Sequence, residues 1–148
     1  MKYEIMIRDS IDETKELDAI LKLHKEVFGS SDNLVQKMRS KPNLLIMAAM
    51  DGEKVVGYKL GYELDQHTFY SWLGGIDADY RKRGIASRLM EKQHHYLKEK
   101  GYTVVQTKTM NKWRSMLVLN IKSGFDIIDV YTDEKGQRKI VLEKELTL

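Results

Sequence analysis

The chain reads as a single α/β domain with a mixed, mostly antiparallel sheet of about seven strands flanked by about four helices. Three observations carry that reading. Between residues 44 and 76 three apolar runs are joined by turn signals, the pattern of an antiparallel meander. Segments with helical apolar spacing lie on either side of it. Near residue 84 a strand hands over to a helix through a glycine turn. With 148 residues and 42% apolar content the chain can build one core without staples, and no repeat, low-complexity tract or linker divides it. One domain, 1–148, is therefore expected.

The elements follow in order. Residues 3–8 alternate as a short strand, and Ser10 or Asp12 is placed to cap the next helix. Leu17, Ile20, Leu21, Leu23, Val27 and Phe28 then recur at helical spacing until Gly29. Ser31 or Asp32 opens a shorter helix through Leu34, Val35 and Met38, which has ended by Pro42. The run 44–50 is continuously apolar, Asp51-Gly52 is a hairpin turn, and 55–63 returns beside it. Asp65-Gln66 turns the chain into 67–76, where Gly74-Gly75 predicts a bulge or a close backbone approach. Ile85, Ala86, Leu89, Met90, Tyr96 and Leu97 give one apolar face to a helix ending at Lys100-Gly101. A strand 102–107 follows. After Asn111 a helix carrying Met116, Leu117, Leu119 and Ile121 stops at Gly124, and 125–131 with 138–146 form a last hairpin across 133–136.

Composition excludes several chemistries. Without cysteine there are no disulfides, thiolate metal sites or cysteine nucleophiles. His24, His67, His94 and His95 lack zinc-binding spacing, so no metal site is expected. No secretory segment and no bilayer-spanning apolar run is present, which makes the cytoplasm the expected compartment and a membrane partner unexpected. The net charge of +3 suits an anionic ligand but is too small for a dedicated nucleic-acid binder.

The most informative stretch joins Ile76, Asp77 and Ala78 to Arg81, Arg83, Gly84, Ile85, Ala86, Ser87 and Arg88. At a strand-to-helix junction the first helical N–H groups have no intrahelical partner and point outward at the positive end of the dipole. A phosphate can sit there. Gly84 removes the side chain that would block approach, Ala86 is small, and Arg81 and Arg83 add charge. No Gly-Lys-Ser/Thr follows, which excludes a Walker loop. With Gly84 as first glycine, the other two positions of a dinucleotide fingerprint hold Ala86 and Leu89.

Arg81-x-x-Gly84-x-Ala86, the lead-in Ile76-Asp77-Ala78, the element order, and Asn111 ahead of a helix ending in Gly124-Phe125 together resemble the GNAT superfamily of N-acetyltransferases. The resemblance implies a GNAT-like sheet that splays between its fourth and fifth strands to admit a pantetheine arm. It also implies acetyl-CoA as co-substrate and an amine acceptor, either a small molecule or a peptide. Backbone at Gly75 to Ala78 would then hold the pantetheine and polarise the carbonyl, 83–88 the pyrophosphate, and Asn111 the arm from the far side. Many members carry a tyrosine four residues before the Gly-Phe pair as the acid for the leaving thiolate. Here Asn120 stands there, and its amide can donate a hydrogen bond but no proton.

Glu63, Asp65 and His67 around the preceding turn are candidate bases, with Glu63 first because it ends a strand beside the implied acetyl site. In Phe69-Tyr70-Ser71-Trp72, alternation sets Tyr70 and Trp72 on the face opposite Phe69 and Ser71, so that one pair lines an acceptor pocket. The competing readings are a non-catalytic acyl-CoA-binding module and, further off, a nucleic-acid binder. A homodimer is compatible with the sequence.

Overall fold

A computed structural model describes residues 3–11 and 14–146. One seven-stranded sheet runs through it in the order β1-β2-β3-β4-β5-β7-β6. Its strands are β1 (Glu4–Arg8), β2 (Leu45–Asp51), β3 (Lys54–Glu63), β4 (Thr68–Ile76), β5 (Val104–Thr109), β6 (Asp126–Thr132) and β7 (Arg138–Glu145). Only β4 and β5 pair in parallel; every other pair is antiparallel. Helices α1 (Lys15–Phe28) and α2 (Leu34–Arg39) belong to one face, α3 (Ile85–Glu99) and α4 (Arg114–Lys122) to the other.

Each face buries its own core, as a sheet covered on both sides requires. Leu17, Ile20, Leu23 and Met38 pack on Ile46, Tyr58 and Leu60 beneath α1 and α2. Ile85, Leu89 and Leu97 of α3 pack with Met47, Val105, Phe125 and Leu142 on the reverse.

Several boundaries differ from expectation for local reasons. The α1 cap is Thr14, whose hydroxyl accepts from the Leu17 N–H at 3.2 Å. The cap position thus falls to Thr14 and not to Ser10, and Asp12 falls outside the described residues. Helix α2 starts from Asn33 in a left-handed conformation, not from Ser31 or Asp32. The sheet register runs unbroken past Gly74 and Gly75, so neither is a bulge; the irregularity falls at Trp72. The other expectation for this pair, a close approach, holds at Gly74, where a Cβ would stand 3.1 Å from the Tyr58 carbonyl oxygen. On α4, Ile121 is 48% exposed and Asn120 takes the inward position, 3% exposed.

Candidate active site

Strands β4 and β5 pair only from Thr68↔Val104 to Ser71↔Thr107. Beyond that point β4 stays with β3 as far as Ile76, and β5 stays with β7 as far as Thr109. The bulge accompanies the parting. Leu60 faces Leu73 and Gly61 faces Ser71, so Trp72 is an extra residue on β4, and an extra residue bends its strand. A gap with two backbone edges opens between the strands.

Alternation decides which backbone groups face it. The Asp77 N–H donates to the Val56 carbonyl at 2.8 Å, which turns Asp77 and Gly75 toward β3 and leaves Ile76 and Gly74 facing the gap. Gly74 was singled out from sequence for a bulge or a close approach, and not as a candidate site residue. The Asp77 carboxylate has its own work, accepting from the Asp79 N–H at 2.9 Å and pairing with Lys54 at 3.6 Å. It fixes a 3-10 turn, Ala78–Tyr80, between β4 and the glycine loop.

Gly84 caps α3 at φ 78°, and a Cβ built there would meet nothing within 4 Å. Glycine thus supplies both the left-handed conformation and an open approach. The first bond of the helix is from Arg88 N–H to the Gly84 carbonyl at 3.1 Å, which leaves the N–H groups of Ile85, Ala86 and Ser87 ahead of it without helical acceptors. The two arginines differ. Arg81 Nε donates to the Ile76 carbonyl at 3.4 Å, on the gap side. Arg83 is turned toward β1, donating to the Tyr3 hydroxyl at 3.1 Å and lying 4.8 Å over the Tyr80 ring.

The far wall comes from the turn after β5 and from α4. Asn111 is exposed in that turn, and Asn120 is buried one helix away. Phe28, at the end of α1, meets Trp113 with ring centroids 6.0 Å apart, so α1 and the start of α4 touch across the region of the gap.

On the α3 face lies a polar cluster that apolar periodicity did not reveal. Lys59 of β3 stands opposite Gly74, and burial pulls its ammonium down to about 8. His94 Nδ1 accepts from Lys144 Nζ at 3.3 Å, which puts the ring hydrogen on Nε2. That Nε2 and both amide atoms of Gln93 are buried without hydrogen-bond partners among the described residues. Burial, then the charges of Lys144, Lys59 and Lys98, hold His94 down at about 3. From sequence, His94 was noted only as one of four histidines without zinc-binding spacing, and Gln93 was not singled out.

The opposite face carries the aromatic residues. Tyr62 meets Tyr70 at 5.3 Å and Trp72 at 5.6 Å, with Lys41 Nζ 4.7 Å over the Tyr62 ring and 5.1 Å over Trp72. Lys108 lies 5.3 Å over Tyr131. The expected alternation holds, because Phe69 is in the α3-side core against Tyr102. Burial, with Tyr62 and Tyr131 nearby, pushes the Tyr70 phenol up.

The three candidate bases are elsewhere. Glu63 lies beside Phe69 at the paired end of β4 and accepts from the Tyr102 hydroxyl at 2.8 Å, on the α3 side. Burial and that carboxylate push the Tyr102 phenol up to about 12. Asp65 accepts from the His67 and Thr68 N–H groups, which holds its carboxyl low and builds the turn that His67 shares. Glu63, Tyr70 and Trp72 are therefore not brought together.

The sequence profile of the Acetyltransferase (GNAT) family matches residues 10–114, and the chain belongs to that family. That family is one of acetyltransferases. No curated protein sequence matches the chain. Solved structures share the fold at low identity. Ard1 from Thermoplasma volcanium superposes with a TM-score of 0.82 at 15% identity, covering 97% of this chain and 99% of that one. A GNAT family acetyltransferase from Elizabethkingia anophelis with acetyl-CoA bound gives 0.78 at 18%, covering 97% and 98%. The ribosomal-protein-S18-alanine N-acetyltransferase from Escherichia coli gives 0.79 at 15%, covering 98% and 96%.

Proposed function

We propose that this chain transfers the acetyl group of acetyl-CoA to the amine of a small-molecule or peptide acceptor by direct attack on the thioester. The observation that carries the reading is the alignment of two features on one strand. β4 loses its β5 partner after Ser71, and the same strand leads through Gly84 into the unpaired N–H groups of α3. A long acyl carrier with an anionic end fits that arrangement, because the gap offers backbone N–H groups along its length and the helix start offers them at its end.

Ile85, Ala86, Ser87 and the Arg81 and Arg88 side chains would hold the pyrophosphate. Ile76 and Gly74 would bind the arm and polarise the thioester carbonyl, whose oxygen gains charge in the transition state. Asn111 would hold the arm from the β5 side. Asn120 would donate a hydrogen bond to the departing sulfur. Acetyl-CoA brings the activated acyl carbon; the chain supplies alignment and charge stabilisation. With Glu63 engaged by Tyr102, the acceptor's proton goes to water.

Tyr62, Tyr70 and Trp72 would receive the apolar body of the acceptor. Lys41 and Lys108 around these rings favour an amine that also carries a carboxylate or phosphate and oppose a polycation. A thiol-release assay over a panel of amines tests this. Carboxylate-bearing amines should turn over faster than their methyl esters and faster than polyamines. Preference for polyamines would overturn the acceptor assignment, and no release with any amine would overturn the transfer itself.

A further inference from the structure

We propose that the outer surface of α4 and β6 is a two-fold interface through which two copies of this chain associate. The inference stands apart from the reading of the β4–β5 gap, and it starts from where apolar surface is left open. Among the described residues nine large apolar side chains remain exposed, and seven of them lie between Trp113 and Tyr131. Single exposed apolar residues are ordinary, but a cluster of them marks a surface that something covers.

The cluster is continuous because of how α4 enters β6. The helix ends in a tight turn through Gly124, closed by the Phe125 N–H on the Asn120 carbonyl at 3.0 Å, so its last turn stands beside the start of the strand. Asn120 is buried and Leu119 packs on the α3-side core, which leaves Val118 and Ile121, one turn apart, on the outer side. On β6, Ile127 and Val130 stand opposite Leu142 and Ile140, core residues of the α3 face, and so point to that same face. Both are about half exposed, as is Ile128 at the β6 bulge. β6 is the outermost strand, and the Asp129 carboxylate takes the Val130 N–H at 2.8 Å, so that donor is not free for an added strand. A partner therefore packs on the face and does not extend the sheet.

A second copy of the chain fits this surface in area and in charge. Val118, Ile121, Ile127, Ile128 and Val130 leave roughly 450 Å² open, about the apolar share of the ~800 Å² that one partner contributes to a standard interface. The rim carries both signs. Arg114 begins the stripe that continues through Val118 and Ile121, Lys122 flanks it, and Asp129 lies on the outermost strand. Among the described residues none of these three charges is in an ion pair. A two-fold axis turns the patch against itself, so apolar surface meets apolar surface and the basic helix of one copy meets the acidic strand of the other. A partner of one sign, an anionic membrane included, would be opposed by part of this rim.

Sedimentation equilibrium tests this without reference to donor or acceptor. At about 100 μM the parent should sediment at twice the chain mass of 17.3 kDa. Ile121→Lys and Ile127→Lys should each shift it to the single-chain mass, with cooperative unfolding retained because both positions are half exposed. Val118→Glu, on the same stripe of α4, should do likewise and covers the case in which either lysine disturbs folding. Leu64→Lys, equally exposed but in the turn between β3 and β4, should leave the dimer intact. A parent that is monomeric or forms open-ended assemblies would overturn the proposal, and so would a dimer that survives substitution on α4 and on β6.

Discussion

Lys59 and His94 pull the pH dependence of stability in one direction. Both are bases whose folded values lie below their ordinary ones, at about 8 and about 3. Between the folded and unfolded values the unfolded chain binds more protons, so stability rises with pH across each window. For His94 the window runs from about 3 up to 6.5, and stability is lost as pH falls through it. For Lys59 it runs from about 8 up to 10.5, and the burden of the half-buried ammonium is lifted only there. Lys59→Met should therefore raise Tm at pH 7 and flatten the alkaline rise, as scanning calorimetry across pH would read. A lower Tm for the variant would mean that the ammonium has a partner in the fold.

Other single residues were legible in the sequence because their roles are local. Gly84 sits where a left-handed helix cap is needed, and Tyr70 and Trp72 share a face because strands alternate. Lys59, Gln93 and His94 were not, since what marks them is register: which residue stands opposite Gly74 and which inward positions of α3 meet lysines of other strands. Arg83 illustrates the same limit. Its charge was read as belonging to the cradle, while its guanidinium lies against Tyr3 and Tyr80. Arg81→Ala should accordingly weaken acetyl-CoA binding more than Arg83→Ala does, by calorimetric titration, while Arg83→Ala should cost more in Tm.

At the scale of elements, the seven strands and four helices were visible in apolar period and turn chemistry, and their ends moved by only a few residues. The bulge was not. Two consecutive glycines signalled a bulge or a close approach; the close approach, against Tyr58, is what they serve, while the extra residue is Trp72, because a bulge is fixed by the pairing of two strands. Gly74→Val tests the consequence. Its Cβ would crowd the Tyr58 carbonyl at 3.1 Å and its methyl groups would press the Lys59 stem, so stability should fall by about 1–3 kcal/mol in urea unfolding. Acetyl-CoA affinity should fall as well, because the gap-facing N–H at 74 shifts. Undiminished affinity in a folded Gly74→Val protein would show that the arm does not lie along this edge.

At the scale of the whole molecule, the fold joins two separately packed faces through one sheet and opens that sheet at its single parallel pair. The α3 face provides the anion-binding helix start and the buried polar cluster, while the α1 and α2 face provides the aromatic residues and their lysines. The gap is where the two communicate. Catalysis in this account needs all three, but everything depends on acetyl-CoA occupying the gap with its phosphates at Gly84. Calorimetric titration of acetyl-CoA into the parent and into Gly84→Asp tests that most directly. The account predicts saturable binding to the parent and none to the variant, with the variant's unfolding cooperative, because a carboxylate at the start of α3 repels phosphate without touching the core. Absence of binding to the parent at millimolar acetyl-CoA, or equal binding to Gly84→Asp, would contradict it.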